Sequence, residues 1–170
     1  MNKIYVGIDN GISGTIGIIS NRGSHFFKTP SFKEQSYTKT KQNISRIDYR
    51  KLSEIFGKIV LEAKENNEEI FVALERPLIN ASMFKSSISA ARSLESTLIL
   101  IEMFEMPYIY IDSKEWQRAL LPKGIKGSAN LKKASKEIGC RLFPKFKELI
   151  TKHKDADGIL IAEYLKRNNF

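Results

Sequence analysis

The chain has a single cysteine, Cys140, among its 170 residues. One cysteine can form neither an internal disulfide nor a Cys-rich zinc site, which argues against a disulfide-stapled secreted protein and favours the reducing cytoplasm. Long apolar runs are absent as well, because Asp9 interrupts the apolar opening segment. We therefore expect a cytoplasmic protein with no signal peptide and no membrane span.

Acidic residues are fewer than basic ones. The chain has 19 Asp and Glu and 28 Lys and Arg, which gives a net charge of +9. A basic surplus of this size on a small chain attracts polyanions, and nucleic acid is the first partner to consider. The alternative is a protein that its lysines merely keep soluble. The length, without internal repeats or a long linker, predicts one domain over residues 1–170.

Apolar periodicity predicts an alternation of strands and helices. Strands are predicted at residues 3–9, 15–20, 25–28, 70–75 and 108–111, and helices at 48–67, 80–105, 129–143 and from 155 onward. The first three strands form an antiparallel meander. Asp112 caps a further short helix, on which Trp116 is predicted to face the core. Residues 29–46 are predicted to be a mobile polar loop that either contacts a backbone phosphate or is simply solvated.

Acidic side chains close three otherwise apolar elements that lie far apart in sequence. Asp9 ends the first strand, Glu75 ends the strand at 70–75, and Asp155 and Asp157 start the final helix. One Asp at a strand end is more often a turn former or a helix cap than a ligand, and Asp155 alone fits an N-cap. Because acidic residues end two apolar strands and begin a helix in one basic chain, we favour a carboxylate cluster instead.

A carboxylate cluster suits a hard divalent cation. Magnesium prefers oxygen ligands and keeps several waters, so it needs a few carboxylates together with substrate phosphate oxygens. Two such ions about 3.5 to 4 Å apart can activate a water and stabilise the leaving oxygen of a phosphodiester. This chemistry is that of a nuclease.

Several segments carry a resemblance to a known family. They are IYVGIDNGISGTIGII at 4–19, ALERP at 73–77, YIDSKEW at 110–116, GIKGSANLKK at 124–133, RLFP at 141–144 and DADGILIAEYL at 155–165. Together they span nearly the whole chain. In these segments the sequence resembles the RuvC-type Holliday-junction resolvases, and it resembles their compact phage members more than the bacterial housekeeping ones.

The resemblance implies an α/β fold of the ribonuclease-H-like kind. Its five-stranded mixed sheet has three antiparallel strands plus two parallel ones and is flanked by helices. It also implies a homodimer that nicks both strands of a four-way junction, and possible activity on forks and flaps. The implied cofactor is Mg²⁺, two ions per site, with Mn²⁺ able to substitute, and the products carry 5′-phosphates.

By position in the resemblance, Asp9, Glu75 and Asp157 match the metal-binding acids of the family. The fourth ligand is an Asp or His about one helical turn before the last Asp. Here Asp155 is the first candidate and His153 is the substitute. All four acids are therefore expected to be catalytic and metal-binding.

The same resemblance suggests basic contacts to DNA, whereas it gives no aromatic wedge at the expected place. Four lysines match the segment that contacts the phosphates near the cut, with a solvated basic face as the alternative: Lys123, Lys126, Lys132 and Lys133. Some members wedge an aromatic side chain into the junction centre three residues beyond the strand-end Glu. This chain has Leu78 at that place and Phe84 further on.

The helix predicted at 80–105 has more apolar residues than one core-facing stripe requires. The surplus suits a dimer interface, and complete burial within one monomer is the alternative.

Three other functions share some of these features. Actin-like and sugar-kinase ATPases also open with a strand, an Asp and a Gly/Thr turn, as residues 7–15 do, but they need two such domains. A P-loop pattern is absent too, so no nucleotide cofactor is expected. A catalytically silent module that binds branched nucleic acid, and a ribonuclease of the same fold, remain alternatives.

Overall fold

The computed structural model describes residues 2–37 and 39–170. The main sheet begins with an antiparallel meander of β1 (Lys3–Ile8), β2 (Thr15–Ser20) and β3 (Gly23–Lys28). The registers pair Ile8 with Ile16 and Thr15 with Lys28. The β-branched residues of β1 and β2 are buried because this part of the sheet is covered on both faces.

Two parallel strands complete the sheet. They are β6 (Glu69–Glu75), which pairs with β1, and β7 (Tyr108–Ile111), which pairs with β6. The strand order is β3-β2-β1-β6-β7. The predicted fold class, three antiparallel strands plus two parallel ones, is confirmed.

Helices cover both faces of the sheet. One face carries α1 (Tyr49–Asn66) and α2 (Phe84–Met103), and α2 follows a 3-10 turn at Ala81–Met83. The other carries α3 (Ser113–Leu120), α4 (Ser128–Leu142), α5 (Lys147–His153) and α6 (Asp157–Arg167). The predicted cap of α1 is present, since the Asp48 carboxylate accepts a hydrogen bond from the Lys51 amide at 3.3 Å. No helix in residues 2–37 and 39–170 is long and apolar enough to cross a membrane.

Glycines let α6 lie directly on the sheet. A Cβ atom added to Gly7 of β1 would lie 2.3 Å from the Gly158 carbonyl oxygen, and one added to Gly17 of β2 would lie 2.2 Å from the Ile159 Cα. Real Cβ atoms do not come this close to backbone, so the contact needs glycine on the strands. The start of α6 is thereby held against β1 and β2.

The loop predicted at residues 29–46 is wrong where the structure has strands, and residue 38 of that segment lies outside the described residues. This segment forms a separate hairpin of β4 (Ser31–Gln35) and β5 (Asn43–Ile47), which packs on α2. Its strands are five residues long and mostly exposed, and they contain lysine, glutamate and asparagine, which are depleted in strands, so periodicity gave no signal.

Helix α5 was not predicted either, and α6 begins at Asp157, two residues later than expected. With seven residues and only Ile150 buried, α5 is too short for a helical period to stand out. A 3-10 turn at Pro144–Phe146 connects α4 to α5.

Candidate active site

The first two predicted acids lie side by side at one edge of the sheet. Strands β1 and β6 are parallel and pair Gly7 with Ala73 and Ile8 with Leu74. The next positions, Asp9 directly after β1 and Glu75 as the last residue of β6, therefore lie next to each other. Alternation of side chains directs both towards the α6 face, because Gly7 and Ala73 face that side.

The turn before α6 brings in the other two acids. Asp9, Asp155 and Asp157 each offer one carboxylate oxygen, and these oxygens lie within 4.8 Å of one another. Glu75 borders the group and acts electrostatically on Asp9. The structure thus brings together the four acids that the sequence singled out.

Neighbouring donors fix the two carboxylates of the α6 turn. The Thr15 hydroxyl donates to Asp155 Oδ1 at 2.8 Å, and the same oxygen accepts from the Asp157 amide at 2.8 Å. Thr15 Oγ1 in turn accepts from the Gly158 amide at 3.0 Å. The Ser135 hydroxyl of α4 donates to Asp157. These contacts restrict how the carboxylates can point.

Trp116 holds Glu75. Its side chain is fully buried, as predicted, and its indole N–H donates to Glu75 Oε1 at 3.3 Å. Sequence reasoning placed Trp116 in the core and did not foresee this contact, nor those of Thr15 and Ser135. No local pattern marks them, because each donor comes from a different element and meets its acceptor only through the fold.

The carboxylates are crowded without enough positive charge to balance them. Burial, followed by repulsion from Asp155 and Glu75, raises the pKa of Asp9 well above its usual range. Burial and Asp157 raise the pKa of Glu75 to about 7. Burial and Asp155 likewise raise the pKa of Asp157 to about 7, and the Lys132 ammonium offsets only part of this. Buried acids that repel one another suit a divalent cation, whose charge would remove the repulsion.

His153 takes a different position. It ends α5, and its ring lies against Phe26 with 6.2 Å between the centroids. Burial, Lys28 and Lys152 lower the pKa of His153. In the described part of the chain, no atom of His153 belongs to the group of candidate ligand atoms that lie within 4.8 Å of one another. An oxygen of Asp155 does belong to it. Asp155 therefore has the better geometry for a fourth ligand.

The four predicted lysines are all exposed but are not equivalent. Lys132 is near enough to act electrostatically on both Asp9 and Asp157. Lys123 lines a groove of about 540 Å³ together with Lys114 and Arg118. Lys126 and Lys133 are exposed, and they are not among the groups that shift the pKa values of the acids.

Much of the apolar surface of α2 and of the segment before it is open. The exposed large side chains are Leu78, Ile79, Met83, Phe84, Ile88, Ile99 and Met103. The alternative of complete burial within one monomer is therefore wrong. Leu78 is 80% exposed and Phe84 is 69% exposed, so both positions compared with the family's wedge project from the surface.

Comparison with solved structures identifies the architecture. The structure titled "T. thermophilus RuvC in complex with Holliday junction substrate" matches with a TM-score of 0.56 and 13% identity, over 98% of this chain and 96% of that one. A second, titled "Thermus thermophilus RuvC structure", has a TM-score of 0.46 and 14% identity, over 99% and 97%. No family model and no curated protein sequence matches.

The chain has a RuvC-like fold. In this ribonuclease-H-like arrangement the four acids lie at the carboxyl edge of the two central parallel strands and at the start of the last helix. At this level of identity the likeness establishes the fold.

The Trp116 contact gives a first prediction. Trp116→Phe keeps an apolar ring in the core and removes the N–H that fixes Glu75. Loss of such a partner costs metal sites about 10- to 100-fold in affinity. We expect about tenfold more Mg²⁺ to be needed for the same rise in melting temperature.

A matched control separates this effect from a loss of packing. Phe143 packs against the same core cluster and its ring has no donor for a carboxylate, so Phe143→Leu disturbs packing alone. It should lower the melting temperature without Mg²⁺ and leave unchanged the rise in melting temperature that a given Mg²⁺ concentration produces. A wild-type Mg²⁺ requirement in Trp116→Phe, measured in the same titration, would contradict the prediction.

Proposed function

We propose that this protein is a metal-dependent endonuclease that cuts branched DNA, with the four-way junction as its principal substrate. The observation that carries the proposal is the cluster of Asp9, Glu75, Asp155 and Asp157 at one edge of a RuvC-like fold. The products would carry 5′-phosphates.

The donor set fits hard divalent cations. Its ligands are carboxylate oxygens, and repulsion between them is what a cation would relieve. The four acids would hold Mg²⁺, or Mn²⁺ in its place, as two ions per site. When bound, such ions supply Lewis acidity and an activated water for attack on a phosphodiester.

The residues around the acids have supporting roles in this proposal. Thr15, Ser135 and Trp116 keep Asp155, Asp157 and Glu75 oriented, so that little reorganisation is needed when substrate arrives. Lys132 lies beside the acids and would contact a phosphate next to the cut. Such a contact strengthens binding on every sequence and specifies none.

The substrate class follows from charge and from the fold. A net charge of +9 suits nucleic acid, and a protein with this fold has been solved in complex with a Holliday-junction substrate. Cutting both strands of a junction needs two sites, so we propose a homodimer of single-domain chains. The open apolar surface of α2 is suited to the interface. Membership of the compact phage group stays a prediction from the sequence.

A silent binding module is the second candidate and is disfavoured by the site. Four crowded acids repel phosphate and raise one another's pKa, so a pure binder gains nothing from keeping them. A ribonuclease of the same fold would use the same acids, and substrate competition separates it from the proposal.

The test uses a labelled four-way junction, a matched linear duplex and an RNA–DNA hybrid, each with and without Mg²⁺. Paired nicks on the junction that require Mg²⁺ are expected. Binding without cleavage in both Mg²⁺ and Mn²⁺ would establish the silent module. Preferred cutting of the hybrid would establish the ribonuclease.

A further inference from the structure

A second set of lysines borders the acids near the edge strand β3. Lys28 is the last residue of β3 and pairs directly with Thr15. Opposite residues of an antiparallel pair share a face, with Cβ atoms about 5 Å apart. The Thr15 hydroxyl binds Asp155, so the Lys28 side chain starts one residue pair away from the carboxylate cluster.

The turn between α5 and α6 brings two more lysines to this side. Lys152 lies in the last turn of α5, and Lys154 follows α5 in the left-handed conformation, with φ at 59°. Both are exposed, and Lys154 directly precedes Asp155. We call Lys28, Lys152 and Lys154 the β3 rim.

The rim is built on a packed base. Phe26 of β3 contacts Phe146, with 5.9 Å between the ring centroids, and His153, with 6.2 Å. Lys145 Nζ donates to the Ser24 carbonyl oxygen at 2.6 Å. The segment that carries Lys152 and Lys154 is thereby fixed to the strand that carries Lys28.

The rim lysines make no ion pair of their own in the described parts of the chain. Residues 141–157 contain four Lys and one Arg against one Glu and two Asp, and both Asp belong to the carboxylate cluster. Exposed lysines without an ion pair contribute little to folding stability and are available to an anionic partner.

We propose that the β3 rim binds the phosphate backbone of the DNA strand that is cut. The inference rests on the proposed function and extends it. The rim and Lys132 come from different elements, β3 and the α5–α6 turn for the rim and α4 for Lys132. Lys132 acts on Asp9 and Asp157, whereas Lys28 and Lys152 act on His153, and Lys154 directly precedes Asp155. The scissile phosphate would be held between the rim and Lys132. Lysine suits this role because its compact charge pairs with phosphate without reading a base.

The test compares two double variants that each remove two positive charges. Lys28→Ala with Lys152→Ala changes the rim, and Lys154 is kept because it adjoins Asp155. Lys64→Ala with Lys166→Ala is the control. Those two lysines are exposed in the last turns of α1 and α6. These turns lie at the opposite end of the strands from the acids, where Lys3 at the start of β1 donates to the Phe170 carbonyl oxygen.

Junction binding is measured without divalent cations between 50 and 200 mM KCl, so that no DNA is cut. Each lost phosphate contact lowers the slope of log K against log salt by about 0.9. We expect the slope to fall by about 1 to 2 in the rim variant and to stay unchanged in the control. Lys28→Arg with Lys152→Arg should restore it.

The outcomes separate this inference from the proposed function. If the wild type cuts junctions and the rim variant keeps the wild-type slope, the rim proposal is overturned and the nuclease stands. Equal losses in the rim variant and the control would also overturn it, because only net charge would then matter. A wild type that neither binds nor cuts junctions would overturn the proposed function itself.

Discussion

Asp9→Asn is expected to reduce junction cleavage about a thousandfold or more while junction binding changes by no more than a few-fold. Asp9 directly follows the central strand β1, and Asp155 and Glu75 repel its negative charge. One of its carboxylate oxygens belongs to the group of oxygens that lie within 4.8 Å of one another. The amide keeps the size of the side chain but removes one negative charge and one anionic oxygen. A divalent cation would lose a ligand that no neighbouring residue replaces.

The comparison requires cleavage rates and binding constants for three proteins. The control is Glu65→Gln, which makes the same chemical change on the exposed surface of α1. It should cut junctions at the wild-type rate. An Asp9→Asn protein that retains wild-type cleavage would show that the carboxylate cluster is not the active site.

The same substitution should change how the stability of the metal-free protein depends on pH. An acid whose folded pKa is raised binds more protons folded than unfolded, so its stabilising effect is present at low pH and lost as the pH rises. For Glu75 and Asp157 this loss runs from about pH 4 to the folded pKa of about 7. Asp9 adds a loss of the same sign.

Removal of the Asp9 charge should reduce the loss of folding stability that occurs as the pH rises. At pH 8 we expect Asp9→Asn without metal to melt at least about 3 °C above the wild type, which corresponds to about 1 kcal/mol for a chain of this size. Saturating Mg²⁺ should stabilise the wild type at pH 8 and should have little effect on the variant. Thermal unfolding at pH 5 and pH 8 with and without Mg²⁺ measures both effects, and an Asp9→Asn protein less stable than the wild type at pH 8 would contradict this account.

The positions of the four acids could be predicted from the sequence because simple geometry determines them. Asp9 and Glu75 each follow an apolar run, and the carboxyl ends of adjacent parallel strands meet at one edge of a sheet. Asp157 starts an amphipathic helix whose glycine allows close packing. Long, strongly patterned elements therefore carried both the fold class and this cluster.

The remaining features depend on contacts between distant parts of the chain. The hairpin at 31–47 consists of short exposed strands whose stability comes from packing on α2. The hydroxyl of Ser135 reaches Asp157 only because α4 lies against α6. The indole of Trp116 likewise reaches Glu75 across the packed α3 face. Burial alone could be predicted for Trp116, whereas its hydrogen bond could not.

Because α6 packs closely on the sheet, alanine substitutions at two helical glycines should change the stability of the protein in opposite directions. A Cβ on Gly158 would lie 2.4 Å from the Thr15 carbonyl oxygen and 2.8 Å from the Ile16 nitrogen, both in the backbone of β2. A Cβ on Gly57 of α1 would meet only the ring of Phe104, at 3.6 Å, which is ordinary contact.

Gly158→Ala should therefore destabilise the protein by about 3 kcal/mol or more, because either α6 or a central strand must move. Gly57→Ala should stabilise it by up to about 1 kcal/mol, since alanine is the better helix former and the site has room. Urea unfolding of the metal-free proteins, followed by far-UV circular dichroism, measures both values. If Gly158→Ala were as stable as Gly57→Ala, α6 would not lie on the sheet as described. Because Asp157 starts α6, displacement of that helix should also weaken Mg²⁺-dependent stabilisation in Gly158→Ala, whereas Gly57→Ala should retain it in full.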